Sequence, residues 1–264
     1  MTIGFIGLGN MAKATIGGII GKKICAPQDI IGSARTQETR KFLSQEYGIR
    51  TGGDNAEIAA KADILFLAVK PGMFPEIIEQ IREVVTGDQL IVSIAAGKTM
   101  DYIEQLFGKK IKLVRCMPNL PALVGEGCTA LCRNKSVTEE EMQRCVELLS
   151  SFGMAQEVPE SLMDTVVGVS GSSPAYVFLF IEAMADEAVA AGMPRQQAYQ
   201  FAAQSVLGSA KLLLETGEHP GILKDKVCSP GGTTIQAVKV LEKCGFRSAV
   251  MEAMDACIEK SKML

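Results

Sequence analysis

The chain has 264 residues, of which 47% are hydrophobic and 22% are charged, and this ordinary globular composition excludes a largely disordered protein. Lys and Arg number 27 and Asp and Glu number 30, and the formal net charge of -3 argues against a nucleic-acid-binding protein. The 8 cysteines are scattered, and with His219 as the only histidine they lack the spacing of a zinc site, so we expect no metal.

The N-terminus enters an apolar segment at once and lacks the basic region and cleavage site of a signal peptide. The most apolar long stretch, 175–193, carries Glu182, Asp186 and Glu187, so we expect no membrane span. Scattered thiols without an export signal are typical of a reducing compartment, and we expect a cytoplasmic protein.

The first half of the chain alternates short apolar segments with amphipathic segments. The run 64–69 is apolar throughout, which is typical of a strand buried on both faces. The alternation predicts a parallel sheet with helices on both faces. The predicted strands are 2–6, 30–33, 49–51, 64–69, 90–94 and 111–116, and the predicted helices are 11–20, 37–47, 55–61, 75–85 and 99–106.

Beyond residue 158 the pattern becomes helical, with Gly- and Pro-rich turns between the segments. One of these turns is predicted at 219–221. We therefore predict a domain boundary at 158 and an all-α domain over 159–264. Its predicted helices are 161–167, 174–191, 195–215, 233–243 and 246–262.

The segment 175–181 has no polar side, and a helix that is hydrophobic all round must be covered all round. A helical domain of this size is too small to bury such a helix centrally. We expect a homodimer through this domain; the alternative is that the N-terminal domain covers the helix.

The segment that begins at Gly7 fits the pattern G-x-G-x-x-A between a strand and a helix. Gly7 allows the tight turn, Gly9 lets a pyrophosphate approach the backbone, and Ala12 lets the helix pack closely on the strand. The sequence therefore predicts an α/β fold whose residues 1–158 form a Rossmann dinucleotide-binding domain. The cofactor contacts expected here are Ile6, Gly7, Leu8, Gly9, Asn10 and Met11.

The end of the second predicted strand distinguishes NAD from NADP. The segment 31–36 has no acidic residue for a ribose 2′-OH but carries Ser33, Arg35 and Thr36, which suit a 2′-phosphate. We therefore predict NADP, with NAD as the second choice, and contacts from Ser33 and Arg35. The alternative is that Arg35 is a solvated loop residue.

Ligands bind at the carboxyl ends of the strands in open α/β sheets. Lys70 lies in such a segment, but we do not expect it to be catalytic. Asn55 begins a short predicted helix and is either an adenosine contact or an N-cap. The further cofactor contacts expected here are Asn55, Ala68, Val69, Lys70, Pro71, Ile94, Ala95 and Ala96.

Three segments, 68–71, 169–176 and 225–235, together with the Gly7 loop, resemble the Δ1-pyrroline-5-carboxylate reductase family. The resemblance covers the whole chain and is most specific at 229–234. It implies that the chain reduces the cyclic imine L-1-pyrroline-5-carboxylate to L-proline with NAD(P)H, the last step of proline biosynthesis. It also implies a helical C-terminal dimerisation domain and, in some members, a larger ring of dimers.

The resemblance further implies that Glu160 lies near the substrate pocket; the alternative is an acidic residue that stabilises a helix dipole. In 229–234, backbone N–H groups at the start of a predicted helix would bind the substrate carboxylate, and the glycines allow close approach. Thr234 is our candidate catalytic residue, hydrogen-bonded to the ring nitrogen; the alternative is an ordinary capped helix start. The expected substrate contacts are Glu160, Ser229, Gly231, Gly232, Thr233 and Thr234.

Two other functions compete with imine reduction. β-Hydroxyacid dehydrogenases have a similar N-terminal loop but carry a catalytic Lys after a glycine-rich turn, and the matching stretch 168–180 has neither Lys nor His. A non-catalytic dinucleotide-sensing protein would need a partner surface such as a basic recognition helix, and none is evident. Imine reduction needs no strong general base, because a protonated C=N bond is already electrophilic.

Overall fold

A computed structural model describes residues 1–263, and the chain divides into two compact units. Unit 1 comprises residues 1–172 and the end of the chain from Cys257; unit 2 comprises Ser173–Ala256. The division therefore lies beyond the predicted boundary at 158. The physical reason is that the intervening residues pack on unit 1, where Met163 shares a buried cluster with Ala130 and Cys132.

Unit 1 is built on one sheet of eight strands in the order β3-β2-β1-β4-β5-β6-β7-β8. The first six positions have the Rossmann order, which confirms the predicted fold class. All neighbouring pairs are parallel except β6 and β7, which are antiparallel. The strands are β1 (Ile3–Ile6), β2 (Ile30–Ser33), β3 (Arg50–Gly52), β4 (Ile64–Leu67), β5 (Leu90–Ser93), β6 (Lys112–Met117), β7 (Gly127–Arg133) and β8 (Gly153–Glu157).

Apolar layers cover both faces of this sheet. Alternate residues of β4 belong to different buried clusters, Phe66 to one and Leu65 to the other, as the all-apolar run predicts. Phe66 stacks on Phe5 of β1 with ring centroids 4.7 Å apart. The helices of unit 1 are α1 (Asn10–Gly21), α2 (Gln37–Tyr47), α3 (Asn55–Lys61), α4 (Phe74–Ile81), α5 (Met100–Phe107), α6 (Glu139–Leu149) and α7 (Met163–Val166).

The six predicted strands pair in parallel, as expected, and the antiparallel pair arises at β7, a strand that was not predicted. A 3₁₀ turn, Leu120–Val124, joins β6 to β7, and such a short connection suits antiparallel strands, whereas parallel strands need a longer crossover. The elements β7, α6 and β8 were not predicted. Thr138 caps α6 in a capping box with Glu141, a signal that the sequence does contain.

Unit 2 is helical, as predicted. His219 and Pro220 were expected to lie in a turn, but they begin α10: His219 is its N-cap and accepts a hydrogen bond at Nδ1 from the N–H of Gly221, 3.1 Å away. Pro220 stands at the first helical position, where its missing N–H costs nothing. The helices are α8 (Ser173–Ala190), α9 (Arg195–Thr216), α10 (Pro220–Val227), α11 (Thr233–Lys243) and α12 (Phe246–Lys262), the last of which continues into residues of unit 1.

The helices of unit 2 leave large apolar side chains exposed. Among α8 and α9 the buried residues are the alanines Ala185, Ala198 and Ala202, whereas Leu179 is 67% exposed. This matches the prediction of a helix that is apolar all round. By length and composition alone, the stretch Glu160–Ala190 could also cross a membrane. Its acidic residues therefore do not by themselves exclude a membrane span, contrary to our expectation from the sequence.

Candidate active site

Gly7 forms the turn between β1 and α1, and two constraints require glycine there. Its φ of +93° lies in the region that side chains disfavour, and an added Cβ would stand 2.5 Å from the carbonyl oxygen of Ala68. Its N–H donates to the carbonyl oxygen of Ser33 at 3.0 Å. The loop is thus fixed to the ends of both strands that flank β1, at the point where the strand order reverses.

The N-terminus of α1 is open to a ligand. Gly9 is its N-cap, no side chain caps it, and its first turn has no acidic residue. A Cβ on Gly9 would meet nothing within 4 Å, so the backbone there faces free space that a ligand can enter. Uncapped N–H groups and the positive end of a helix dipole form an anion site.

The predicted residues of this loop contribute in different ways. Ile6 and Leu8 are buried in the core, so only their backbones can contact a ligand. Asn10 is exposed and Met11 is half-buried at the start of α1. Ala12 is buried, as the close packing of helix on strand requires.

Ser33 and Asn55, both predicted cofactor contacts, lie together at the carboxyl end of β2. The hydroxyl of Ser33 donates to Oδ1 of Asn55 at 2.6 Å, and Nδ2 of Asn55 donates to Oε1 of Gln80 at 2.7 Å. The N-cap of α3 is Asp54, whose carboxylate accepts from the N–H of Ala56 at 2.8 Å. The N-cap alternative for Asn55 is therefore wrong, and its side chain belongs to this polar cluster.

Arg35 follows β2 and is exposed. Its guanidinium has no ion pair or hydrogen bond within residues 1–263. The neighbouring Thr36 is the N-cap of α2, where its hydroxyl accepts from the N–H of Thr39 at 3.3 Å. Arg35 is thus available to an anionic ligand, while the hydroxyl of Thr36 already has a structural partner.

The segments that follow β4 and β5 lie at the same edge of the sheet. The N–H of Ala68 donates to the carbonyl oxygen of Ile6 at 2.8 Å, and that of Ile94 donates to Leu67 at 3.3 Å. Ala95 is buried, and Ala96 is half-buried. Beside Ala68, Val69 and Pro71 are half-buried and Lys70 is exposed at the start of a 3₁₀ turn. These small side chains leave room for a ligand above β4 and β5.

The carboxylate of Glu160 accepts hydrogen bonds from two groups of unit 1. Its Oε1 accepts from Nη1 of Arg115 at 3.0 Å and from the N–H of Met100, the first residue of α5, at 2.8 Å. The Arg115 side chain is only 7% exposed, so Glu160 is its counter-charge in the interior. Glu160 therefore stabilises the start of α5, and it also lies in the first turn of its own short helix, Glu160–Leu162.

Asn119 follows β6 and is buried. Its Nδ2 donates to the carbonyl oxygen of Ser170 at 3.0 Å, and its Oδ1 accepts from the N–H of Cys128 at 2.8 Å. Ser170 belongs to a π-helical turn, Val167–Gly171. The buried amide of Asn119 thus joins three segments of unit 1, a role that no local signal in the sequence indicates.

In unit 2, the segment 229–234 forms a second uncapped helix start. Gly231 has a φ of +70°, and Gly232 is the N-cap of α11, which has no side-chain cap and no acidic residue in its first turn. A Cβ on Gly232 would collide with Oγ of Ser229. The hydroxyls of Ser229, Thr233 and Thr234 have no hydrogen-bond partner within residues 1–263. Free N–H groups and three free hydroxyls therefore lie at one helix terminus.

The buried thiols are not suited to nucleophilic chemistry. Burial raises the pKa of Cys132 to about 12 and that of Cys145 to about 12, and it raises the pKa of Cys116 as well. Thiols with such pKa values are protonated near neutral pH, and the thiolate is the reactive form. Within residues 1–263 no group of three or more His, Cys, Asp or Glu side chains could hold a metal ion.

Residues 160–264 match the family model described as pyrroline-5-carboxylate reductase dimerisation, and residues 2–97 match the model described as NADP oxidoreductase coenzyme F420-dependent. The chain is 52% identical to the pyrroline-5-carboxylate reductase of Escherichia coli K12, over 99% of this chain and 97% of that one. It superposes on the Coxiella burnetii pyrroline-5-carboxylate reductase with a TM-score of 0.93, 34% identity and coverage of 99% and 97%. The Plasmodium falciparum pyrroline carboxylate reductase with NADP bound gives a TM-score of 0.90, 32% identity and coverage of 100% and 97%.

Proposed function

Because the chain belongs to the pyrroline-5-carboxylate reductase family, we propose that its two uncapped helix starts, α1 and α11, bind the two anionic reactants of this reduction. The chain reduces pyrroline-5-carboxylate to L-proline with NADPH, and NADH is the second choice of donor. The observation that carries the assignment of residues is that both helix N-termini have free N–H groups and no acidic side chain nearby in sequence.

The residues of unit 1 fit NADP. The free N–H groups of α1 bind the pyrophosphate, for which Gly9 leaves open space. Arg35 binds the 2′-phosphate, since its guanidinium has no partner in the protein. Ala68 and Ala95 border the nicotinamide because their small side chains leave room beside β4 and β5. When bound, NADPH supplies the hydride.

The residues of unit 2 fit the substrate carboxylate. A carboxylate placed at the start of α11 accepts hydrogen bonds from the N–H groups that follow Gly232, and the helix dipole favours its charge. An added Cβ at Gly231 would meet nothing within 4 Å, so a ligand can approach the backbone there, whereas Oγ of Ser229 lies beside Gly232. The hydroxyls of Ser229 and Thr233 are free to donate. No basic side chain is needed for this binding.

Thr234 orients the ring nitrogen. Reduction adds a hydride to the imine carbon, and the nitrogen needs one proton unless it arrives protonated. The hydroxyl of Thr234 is half-buried and has no partner within residues 1–263, so it is free to hydrogen-bond there. A threonine hydroxyl is a poor acid, so it positions the iminium or relays a proton from water.

Glu160 contributes to the reaction indirectly in this proposal. Its Oε1 already accepts two hydrogen bonds, and the N–H of Met100 that it binds lies close in sequence to Ala95 and Ala96. Glu160 therefore fixes the end of the loop that carries these cofactor contacts. We propose this role as an alternative to the direct substrate contact that the family resemblance implies.

We infer that the chain forms a homodimer through its helical residues, because residues 160–264 match the family model described as pyrroline-5-carboxylate reductase dimerisation. The apolar groove of about 690 Å³ between α8, α11 and α12 and the exposed Leu179 and Phe178 supply a surface for a second copy. A second copy of the chain therefore covers this apolar surface in place of a membrane. This arrangement favours a cytoplasmic enzyme. Light scattering tests the dimer and detects any larger ring of dimers; a single-chain mass at micromolar concentration would contradict it.

An activity assay tests the function directly. Adding pyrroline-5-carboxylate to the full-length protein and NADPH should oxidise the cofactor and yield proline. Binding of the cofactor without turnover, across a panel of cyclic imines and 2-hydroxy acids, would instead support a dinucleotide sensor. Turnover of a 2-hydroxy acid alone would support the dehydrogenase alternative.

A further inference from the structure

A second guanidinium lies beside the end of the sheet at which Arg35 stands. Arg40, on α2, is half-buried, and its guanidinium lies directly against Gly53, the residue after β3. A Cβ added to Gly53 would collide with Nη1 of Arg40 and lie 3.4 Å from its Cζ. The absence of a side chain at Gly53 therefore creates the space that this guanidinium occupies.

The strand register places Gly53 next to the predicted 2′-phosphate segment. Ser33 pairs with Gly52 across β2 and β3, and the N–H of Ala34 donates to the carbonyl oxygen of Gly52 at 3.4 Å. Arg35 therefore lies two residues after the end of β2, and Gly53 lies one residue after the end of β3. Because the guanidinium of Arg40 lies against Gly53, Arg35 and Arg40 are brought to one edge of the sheet.

The backbone of Arg40 is fixed, but its charge is not balanced. Its N–H donates to the carbonyl oxygen of Thr36 at 3.3 Å, and its carbonyl oxygen accepts from the hydroxyl of Thr51 at 3.3 Å. Its guanidinium has no ion pair or hydrogen bond within residues 1–263. The nearby carboxylate of Asp54 is engaged as the N-cap of α3. A half-buried cation without a counter-charge is poised for an anion from outside the protein.

We propose that Arg40 acts with Arg35 as a specificity-determining residue that binds the 2′-phosphate of NADP. The inference rests on the proposed function, because it assigns a second residue to the cofactor site described there. A phosphomonoester carries a charge between about -1.5 and -2 near neutral pH, which two guanidinium groups match better than one. Preference for NADP over NAD thus depends on a contact that only the folded chain creates.

Binding of 2′,5′-ADP and 5′-ADP to the full-length dimer, measured by calorimetry, tests this inference. Arg40→Ala should weaken 2′,5′-ADP by about tenfold or more and 5′-ADP by less than about twofold, because the lost contact is a charge-assisted hydrogen bond to the phosphate. Gly53→Ala should act in the same direction without removing the charge, because it displaces the guanidinium. Lys41→Ala, which removes an exposed cation from the same helix, is the matched control and should change neither affinity by more than about twofold.

Kinetics separate failure of this inference from failure of the proposed function. If the wild type oxidises NADPH with pyrroline-5-carboxylate but Arg40→Ala and Gly53→Ala keep the wild-type ratio of the two ADP affinities, this inference is overturned and the function stands. Equal losses for both nucleotides overturn it too, since they indicate general damage at the adenosine end. Arg40→Lys keeps the charge and should lose less affinity than Arg40→Ala. If the wild type binds neither nucleotide, the proposed function fails and the inference fails with it.

Discussion

Replacing Glu160 with alanine removes the counter-charge of a buried arginine. Arg115 is 7% exposed and 3.0 Å from Oε1 of Glu160, which is 29% exposed. The same oxygen accepts from the N–H of Met100, 2.8 Å away. Alanine at position 160 therefore leaves one guanidinium and one helix-terminal N–H without their acceptor.

The expected cost follows from the burial of the two partners. Breaking a fully buried ion pair from one side costs about 3–5 kcal/mol, and the partial exposure of Glu160 lets water replace some of the lost interaction, so we expect about 2–4 kcal/mol. At about 2–4 °C per kcal/mol for a chain of this size, the Tm should fall by roughly 5–15 °C. Glu160→Gln keeps a neutral acceptor for both donors and should cost less, about 1–2 kcal/mol.

Differential scanning calorimetry of the two variants measures these changes. The control is Glu157→Ala, which breaks a more exposed pair with Arg133 and should cost under about 1 kcal/mol, since Arg133 keeps Glu139 as a second partner. A Tm for Glu160→Ala no lower than that of Glu157→Ala would refute the assignment. A Glu160→Gln enzyme of wild-type stability with a raised KM for the imine alone would restore Glu160 to direct substrate contact.

Three further predictions concern other parts of the chain. Thr234→Val should lower kcat/KM by roughly 10–100-fold and leave the NADPH Kd unchanged, because one hydrogen bond to a charged nitrogen is lost; steady-state kinetics at the wild-type level would remove Thr234 from the reaction. Gly7→Ala should destabilise the protein by about 1–3 kcal/mol and weaken NADPH binding, because it combines a positive φ with a collision against Ala68. A denaturant titration measures the stability and NADPH fluorescence measures the binding; an unchanged unfolding midpoint would contradict the prediction. In native protein near pH 8, iodoacetamide should label exposed Cys244 and spare Cys132, because burial raises the pKa of Cys132 to about 12. Peptide mass spectra measure the two labelling rates, and equal rates would show that the environment of Cys132 is open.

The features that the sequence predicts well are those whose cause is local. The run at β4 is apolar at every position because both faces of that strand are covered. The pattern can therefore be recognised from the sequence of this strand alone. Gly7 stands where a tight turn requires glycine, and Gly9 leaves open space at the start of α1. The segment around Gly231 follows the same rule at the start of α11.

The features that the sequence does not predict depend on distant partners. Strand β7 contains Gly127 and Ala130, which have weak strand preference, and it is a strand because β6 and β8 flank it. The bond between Glu160 and Arg115 joins residues 45 positions apart, and a family resemblance places Glu160 near a site without revealing this partner. Only the folded chain shows which oxygen is already occupied.

The same division applies to the cofactor site. In the proposed site, pyrophosphate binding depends on N–H groups at one helix start, so a short glycine pattern is enough to indicate it. In our proposal, discrimination at the 2′ position depends on the cations that meet beyond β2 and β3, and Arg40 reaches that edge because Gly53, the residue after β3, has no side chain. One arginine in the segment after β2 is therefore an incomplete predictor of NADP preference: a relative that keeps Arg35 but has a larger residue at the position of Gly53 should bind the 2′-phosphate less tightly.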